Sequence, residues 1–405
     1  MRKKNLTRRG FLGAAAGAGL GGLTLSAFPA KLAGESELVP QSPSDLNDKM
    51  RSGADTSSGC AEFWDRRSAS NQPPRKVIVG TIMQPFWGKY PGLKKRLQQL
   101  MEIVERLQTQ SQKQYGRGVD LVVLPEMAIT GEGGSTGEVI DWSFPLEGPV
   151  RESFAGKARE HRFYIVAPLF LIEDKDTKRC SNAAVLFGRK GEVVGIYRKA
   201  HPVVDLDTGV MEHGVTPAKE IPVFDCDFGK LGIQICFDIN FDYGWDELSR
   251  KGADLVVWPT QSPQTVVPSS RALRNHYYIV SSTWRDNASV FDPIGKIVSQ
   301  VKWPPGMGTW EGTNKSLTDN ILVQEIDLSY AIIDWSRTLA HGEAFTKSFG
   351  DKAGFRYYDD DDRGIFWSND PQMTVRQMLT SLNEVEESNY MQRTVQHFRK
   401  AGIRS

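Results

Sequence analysis

Residues 230–238 read KLGIQICFD. The run from Leu231 to Ile235 is short, apolar and partly β-branched, which predicts a buried strand. That strand delivers Cys236 at its end, with Phe237 and Asp238 directly behind it. Two readings compete. A free cysteine behaves as a small hydrophobe and is often fully buried. A cysteine at a strand end is also a way for a sheet to present a nucleophile. The second reading demands a base and an oxyanion donor elsewhere in the chain.

Two further strand ends supply candidates. LVVLPE stops on Glu126, and GIYRK stops on Lys199. Glu and Lys are almost never fully buried unless paired. In sheets covered by helices, ligands bind in the crevice beyond the strand ends. The three residue types are complementary. A deprotonated thiol attacks, a carboxylate takes its proton and later activates water, and an ammonium stabilises the oxyanion. The backbone N–H of Phe237 is the candidate second oxyanion donor. The competing readings are a core thiol at Cys236 and a plain ion pair between Glu126 and Lys199.

The surrounding chain supports a layered architecture. VIVGTIM, from Val77 to Met83, is another continuous apolar strand. Leu93, Leu97, Leu100, Val104 and Leu107 recur on one face of a helix. GRKGEV and the turn over Pro293, Ile294 and Gly295 read as hairpins, whereas other strands are separated by helical stretches. Crossovers mixed with hairpins predict an α/β layered fold with a mixed sheet. Residues 335–405 leave this rhythm. The carboxylate run Asp359 to Asp362 lacks the spaced ligands and glycine of a calcium loop and reads as a solvated turn. A long helix is predicted over 371–401, with Asp370 as N-cap, Pro371 in the first turn and Gly402 at the stop. Its stripe of Val375, Met378, Leu379, Leu382 and Val385 needs a covering surface: a second subunit, the rim of the pocket, or the body of the same chain.

The chain resembles the carbon–nitrogen hydrolase (nitrilase) superfamily. The resemblance rests on LVVLPEMAITG around Glu126, NAAVLFGRKGEVVGIYRKAHPV through Lys199 and GKLGIQICFDINF around Cys236. It continues through RKGADLVVWPTQSP, RALRNHYYIVSSTW, VFDPIGKIV and ILVQEIDL, covering about residues 76–329. It implies a four-layer αββα sandwich with a Glu126, Lys199, Cys236 triad. It also implies hydrolysis of a non-peptide C–N bond through a thioester, with no cofactor and no metal, and assembly into a homodimer or higher homo-oligomer. Glu212 matches a second glutamate that many members carry in the loop after the lysine. The implied substrate is a small amide, carbamoyl or ureido compound. A nitrile, an acyl transfer, or a silent binding protein on the same fold are the alternatives. Asn240-Phe241-Asp242-Tyr243 departs from the family's Arg-Phe-Pro-Glu run, and Arg274-Asn275 from its Glu-Asn pair. His201, which precedes Pro202, is read as structural. The expected division is a signal over 1–30, a spacer over 31–73, the hydrolase domain over 74–330 and a helical C-terminal extension over 331–405.

Composition narrows the partners. The 405 residues carry a formal charge of +1, which gives no electrostatic case for nucleic acid or an anionic membrane. Cys60, Cys180, Cys226 and Cys236 form no CxxC pair and no His cluster stands at metal spacing, so no zinc site is expected. The first residues, MRKKNLTRRGFLGAAAGAGL, match a twin-arginine export signal, with cleavage expected near Ala30. The glycine-rich apolar run is too short for stable membrane insertion. A periplasmic or extracellular location follows as the expectation. Exchanging Arg8 and Arg9 together for lysine should then retain the protein in the cytoplasm. Fractionation that finds the double variant still exported counts against this route.

Overall fold

Strand β1 (Lys76–Ile82) shows how the layers arise. Val77 and Val79 pack into one core, and Ile78 and Ile82 into another on the opposite face. A strand buried on both faces reads as a continuous apolar run, because the period-2 alternation has no solvent side. The computed structural model describes residues 69–87, 89–131, 138–303 and 320–403. The predicted signal and most of the predicted spacer, with Cys60, lie outside them.

The first sheet comprises β1, β2 (Leu121–Val123), β3 (Tyr164–Asp174), β4 (Arg179–Phe187), β5 (Val193–Arg198) and, paired to β1, β12 (Ile321–Asp327). Strands β1, β2 and β3 are parallel, β3 to β5 form an antiparallel meander, and β12 closes the edge antiparallel to β1. The second sheet repeats this plan. It contains β6 (Val223–Cys226), β7 (Gly229–Ile233), β8 (Leu255–Pro259), β9 (Tyr278–Ser282), β10 (Asn287–Phe291) and β11 (Ile297–Lys302). Here β7, β8 and β9 are parallel, β9 to β11 form the meander, and β6 is the antiparallel edge.

Helices α1 (Leu93–Tyr115) and α2 (Pro149–His161) cover the outer face of the first sheet. All of the leucine stripe predicted for α1 is buried there except Leu93, which is half-buried. At Gly80 an added Cβ would lie 3.2 Å from the Leu107 side chain, so α1 packs on β1 closely enough there that a methyl group would have to push Leu107 aside by a few tenths of an ångström. Helices α3 (Asp242–Arg250) and α4 (Val266–Asn275) cover the second sheet through Trp245, Leu248 and Ala272. The result is the αββα sandwich. The sheets are stitched together where β1 and β9 end: Thr81 Oγ1 donates to Ser281 O at 2.7 Å and Ser282 Oγ to Ile82 O at 3.2 Å.

The C-terminal region differs from expectation. It holds helices but also a third sheet, ordered β13 (Tyr330–Asp334), β15 (Arg363–Ser368), β14 (Ala353–Tyr358) and wholly antiparallel. The single helix expected over 371–401 is two: α6 (Val375–Ser381) and α7 (Glu387–Lys400), preceded in the chain by α5 (Glu343–Phe349). Thr374, rather than Asp370, caps α6, in a capping box with Gln377. Asn383 at φ 58° stops it, and Glu384 N–H returns to Leu379 O at 3.0 Å. Val375, Met378 and Leu379 bury against Ala331, Ile333, Phe345 and Phe366 of the same chain, with Leu382 packed beside them. Val385 is exposed. The stripe is therefore covered within its own chain, by the third sheet and α5 of the C-terminal region, not by a dimer contact or the pocket rim. Asp359 to Asp362 form the exposed β14–β15 turn.

One buried charge cluster ties α7 to this sheet. Arg363 grips both oxygens of Asp334 (2.5 and 3.0 Å) and donates to Glu387 Oε1 at 2.9 Å. Burial, with Asp334 beside it, pushes the Glu387 carboxyl from its ordinary 4.5 up to about 8. The folded form therefore binds a proton that the unfolded form releases. Its contribution to stability is whole below about pH 4.5 and is lost as pH rises through about 8. Glu387→Gln should flatten this dependence, so that the variant melts above the wild type at pH 9 but not at pH 5. Parallel melting curves across that range would remove Glu387 from the account.

Candidate active site

Cys236 follows β7 by three residues and opens a single 3₁₀ turn, Cys236–Asn240. Its φ is 43°, a left-handed value that costs a non-glycine residue energy and persists only where surroundings enforce it. Asp238 enforces it. This fully buried carboxylate accepts Ile235 N–H and the Tyr197 hydroxyl at 2.8 Å each through Oδ2. Through Oδ1 it accepts the backbone N–H of His201 at 2.8 Å and lies 3.0 Å from that ring's Nδ1. Two tryptophans clamp the turn: Trp258 Nε1 donates to Cys236 O at 3.1 Å and Trp245 Nε1 to Asp238 O at 3.0 Å. The cysteine is 3 % exposed.

Glu126 lies just beyond β2, where Trp284 Nε1 donates to its backbone carbonyl at 2.7 Å. Lys199 is the first residue after β5, and its N–H donates to Asn182 O at 2.8 Å. The two side chains meet in the interior, each 1 % exposed, with Lys199 Nζ 2.8 Å from Glu126 Oε1. The same ammonium donates to Glu212 Oε1 at 2.8 Å. Glu212 is set by a strained loop, at φ 34°, whose N–H returns to Val203 O at 2.7 Å. Burial alone would lower the lysine's pKa. The charges of Glu126 and Glu212, with Cys236 near, outweigh it and hold the ammonium above its ordinary range. A buried ion pair of this kind is weak evidence for stability, because desolvation offsets most of the attraction. Clustered perturbed groups at strand ends fit a functional site better.

Of the residues expected at the site, Glu126, Lys199 and Glu212 are joined by direct hydrogen bonds, and Cys236 contributes to the field at Lys199. Phe237 occupies the second position of the cysteine turn, ahead of the bond from Asp238 N–H to Ile235 O at 3.0 Å. His201 stacks on Phe241, with ring centroids 4.2 Å apart, and serves the Asp238 network. Burial pushes up the thiols of Cys180 and Cys226, the latter to about 12. The two departures at the helix surface answer each other: Arg274 bonds Asp242 at 3.2 Å and Asp246 at 2.6 Å. Sequence reasoning passed over Asn182, Asp238, Trp258 and Trp284. The available signals were a polar residue at the head of the apolar run NAAVLF and a carboxylate two places after the cysteine.

Among the described residues, Glu105, Glu160 and His161 are the group spaced for a metal ion. They lie on or beside α1 and α2, and the Lys157 ammonium already sits against both carboxylates. A cavity of about 540 Å³, lined by Arg75, Cys226, Asp254, Tyr330 and Glu387 among others, contains none of the four candidate groups.

Comparison with known proteins bears on the same stretch of chain. The family model described as carbon-nitrogen hydrolase matches residues 79–331. The chain is 26% identical to Omega-amidase NIT2 of Danio rerio over 247 residues, 56% of this chain and 82% of that protein. It is 34% identical to a nitrilase of Pyrococcus abyssi over 184 residues, 44% of this chain and 66% of that protein. In fold it resembles Saccharomyces cerevisiae Nit3, a member of branch 10 of the nitrilase superfamily. That likeness has a TM-score of 0.50 at 21% identity, over 63% of this chain and 90% of that one.

The Asp238 network makes its own prediction. Asp238→Ala leaves a phenol, two backbone N–H groups and an imidazole without their acceptor. The expected cost is about 3–5 kcal/mol of stability, together with loss of the left-handed turn at Cys236. Chemical denaturation measures the first and the rate of thiol alkylation the second. A variant matching the wild type in both would show that the turn holds without its carboxylate.

Proposed function

Since the chain belongs to the carbon–nitrogen hydrolase family, we propose that it is a thiol hydrolase of the amidase type, cleaving a non-peptide C–N bond through a thioester on Cys236. The observation that carries this reading is the Lys199 ammonium, buried and hydrogen-bonded to both Glu126 and Glu212. A sheet interior tolerates such a cluster poorly unless its charges are used.

The steps follow from what each group can donate or accept. The Cys236 thiol passes its proton to Glu126 as sulfur attacks the carbonyl carbon. The developing oxyanion is met by the Lys199 ammonium and the Phe237 N–H. Glu126 returns the proton to the departing nitrogen, ammonia or an amine leaves, and a thioester remains. Water then gives a proton to Glu126 and attacks the same carbon. The second tetrahedral species expels sulfur, which regains the proton, and a carboxylic acid is released. Glu212 keeps Lys199 directed inward through both acylation and deacylation.

The omega-amidase relative, matched over the longer stretch, supports a small amide as substrate, and the nitrilase relative, more identical over a shorter one, supports a nitrile, which would form an analogous thio-linked adduct on the same groups. The retained set of reacting groups argues against a silent binding role, whereas acyl transfer would use the same thioester with another acceptor in place of water. Export through the twin-arginine route is part of this reading and rests on the paired Arg8 and Arg9. So is a homo-oligomer, to which the exposed Tyr243, Val266 and Leu273 on α3, α4 and their flank are suited.

Ammonia release should be measured across short aliphatic amides, dicarboxylic acid monoamides, carbamoyl amino acids and nitriles. Cys236→Ala is expected to lose more than ~10³-fold in turnover with the fold retained. Glu126→Gln should fall comparably while still binding substrate. Steady-state hydrolysis by the Cys236→Ala protein above roughly a few per cent of wild type would sink the assignment.

A further inference from the structure

We propose that Asn182 is a positioning residue for this site, its amide holding Glu126 and Glu212 together as ionised acceptors around Lys199. The proposal rests on the thiol-hydrolase reading above and adds a group that the reading does not contain.

The geometry is specific. Asn182 lies in β4, opposite Phe170 of β3, and is 1 % exposed. Its Nδ2 donates to Glu126 Oε1 at 3.0 Å and to Glu212 Oε2 at 3.2 Å. Its backbone carbonyl accepts the Lys199 N–H at 2.8 Å. One residue thus touches three of the four candidate groups. It reaches both carboxylates through its only two side-chain N–H donors.

The orientation of the amide is dictated by its neighbours. Two carboxylate oxygens can face the NH₂ group, whereas the reversed amide would set a third oxygen against them. The consequence is that Asn182 Oδ1 is buried without a hydrogen-bond partner among the described residues. Leaving a buried acceptor unmade is costly, and each such case in a native structure calls for an explanation. Packing does not supply one. The next residues of the strand, Ala183 and Ala184, are apolar and fully buried, and an apolar residue would fill this position without that penalty.

Electrostatics does supply one. Two carboxylates around a single ammonium leave one negative charge in excess, and their mutual repulsion opposes the ionised form of each. A protonated Glu126 cannot act as the base. Hydrogen bonds donated to the charged form oppose protonation, and Asn182 gives one to each member of the pair. Its role is to keep the base unprotonated, and aimed, to lower pH than Lys199 alone would allow.

The test reads that protonation without a substrate. Difference infrared spectroscopy during acid titration follows the protonated-carboxyl band, assigned to the pair by its change in Glu126→Gln and Glu212→Gln. In Asn182→Ala the band should appear about one pH unit higher than in the wild type, the size expected for losing a charge-assisted hydrogen bond. Asn182→Leu, which keeps the number and branching of side-chain heavy atoms and removes the unsatisfied oxygen, should show the same displacement while melting no lower than Asn182→Ala. The acid limb of ammonia release should move with the band. A band that appears at the wild-type pH in both variants overturns the proposal. Normal turnover by Cys236→Ala would instead remove the thiol-hydrolase reading, and the infrared result would stand apart from it.

Discussion

The rest of the structure depends on the burial of one ammonium. Lys199 is as inaccessible as a core leucine, and it stays charged because two carboxylates meet it, Glu126 from 73 positions back in the chain and Glu212 from the loop 13 positions ahead. A displacement of β2 or β5 that separated Glu126 from Lys199 would leave a buried charge poorly paired, which is far costlier than a small packing defect. The frame that prevents this is the αββα sandwich, whose strands are covered on both faces and cannot slip register without exposing a core. The two sheets share one plan, three parallel strands running into a meander. They are fastened to each other where β1 and β9 end, on the side where Glu126 leaves β2.

The cysteine is held by different means. Strand geometry brings it near Lys199, but the left-handed backbone at Cys236 comes from Asp238, Trp258 and the chain around His201. Strain of this kind is maintained only by an over-determined surrounding. The site therefore has two supports. One is an ionic cluster on the first sheet, and the other is a hydrogen-bonded turn on the second. The Tyr197 hydroxyl on Asp238 connects them, since Tyr197 lies on β5, two residues before Lys199.

The C-terminal region adds a third sheet without adding a group to the site. Its own core of Ala331, Ile333, Phe345, Phe366 and the α6 stripe is separate from the cores of the sandwich. The other face of the sheet joins the body, with Tyr330, Ile332 and Ile365 entering the sandwich core, Tyr358 bonding Asp292 at 2.9 Å and Tyr330 the His276 carbonyl at 2.5 Å.

Sequence patterning alone determined an α/β layered fold with a mixed sheet, because a strand buried on both faces and an amphipathic helix have distinct apolar periods, and the division into four layers with two sheets came from the family resemblance. It also picked out Glu126, Lys199 and Cys236 as strand-end residues, and family resemblance drew attention to Glu212. It did not determine the C-terminal break: capping at Thr374 and the left-handed stop at Asn383 are local choices that helical periodicity overrides on paper. Nor did it find Asn182 or Asp238. A polar residue in an apolar run has no meaning until its partners are known, and here they lie 30 and 56 positions from Asn182 and 37 and 41 from Asp238. Which residues can be nucleophile, base and cation is a matter of side-chain chemistry and is written in the chain. Whether those groups stay charged, and face one another, depends on burial and on hydrogen bonds from remote strands, and these exist only once the two sheets have closed.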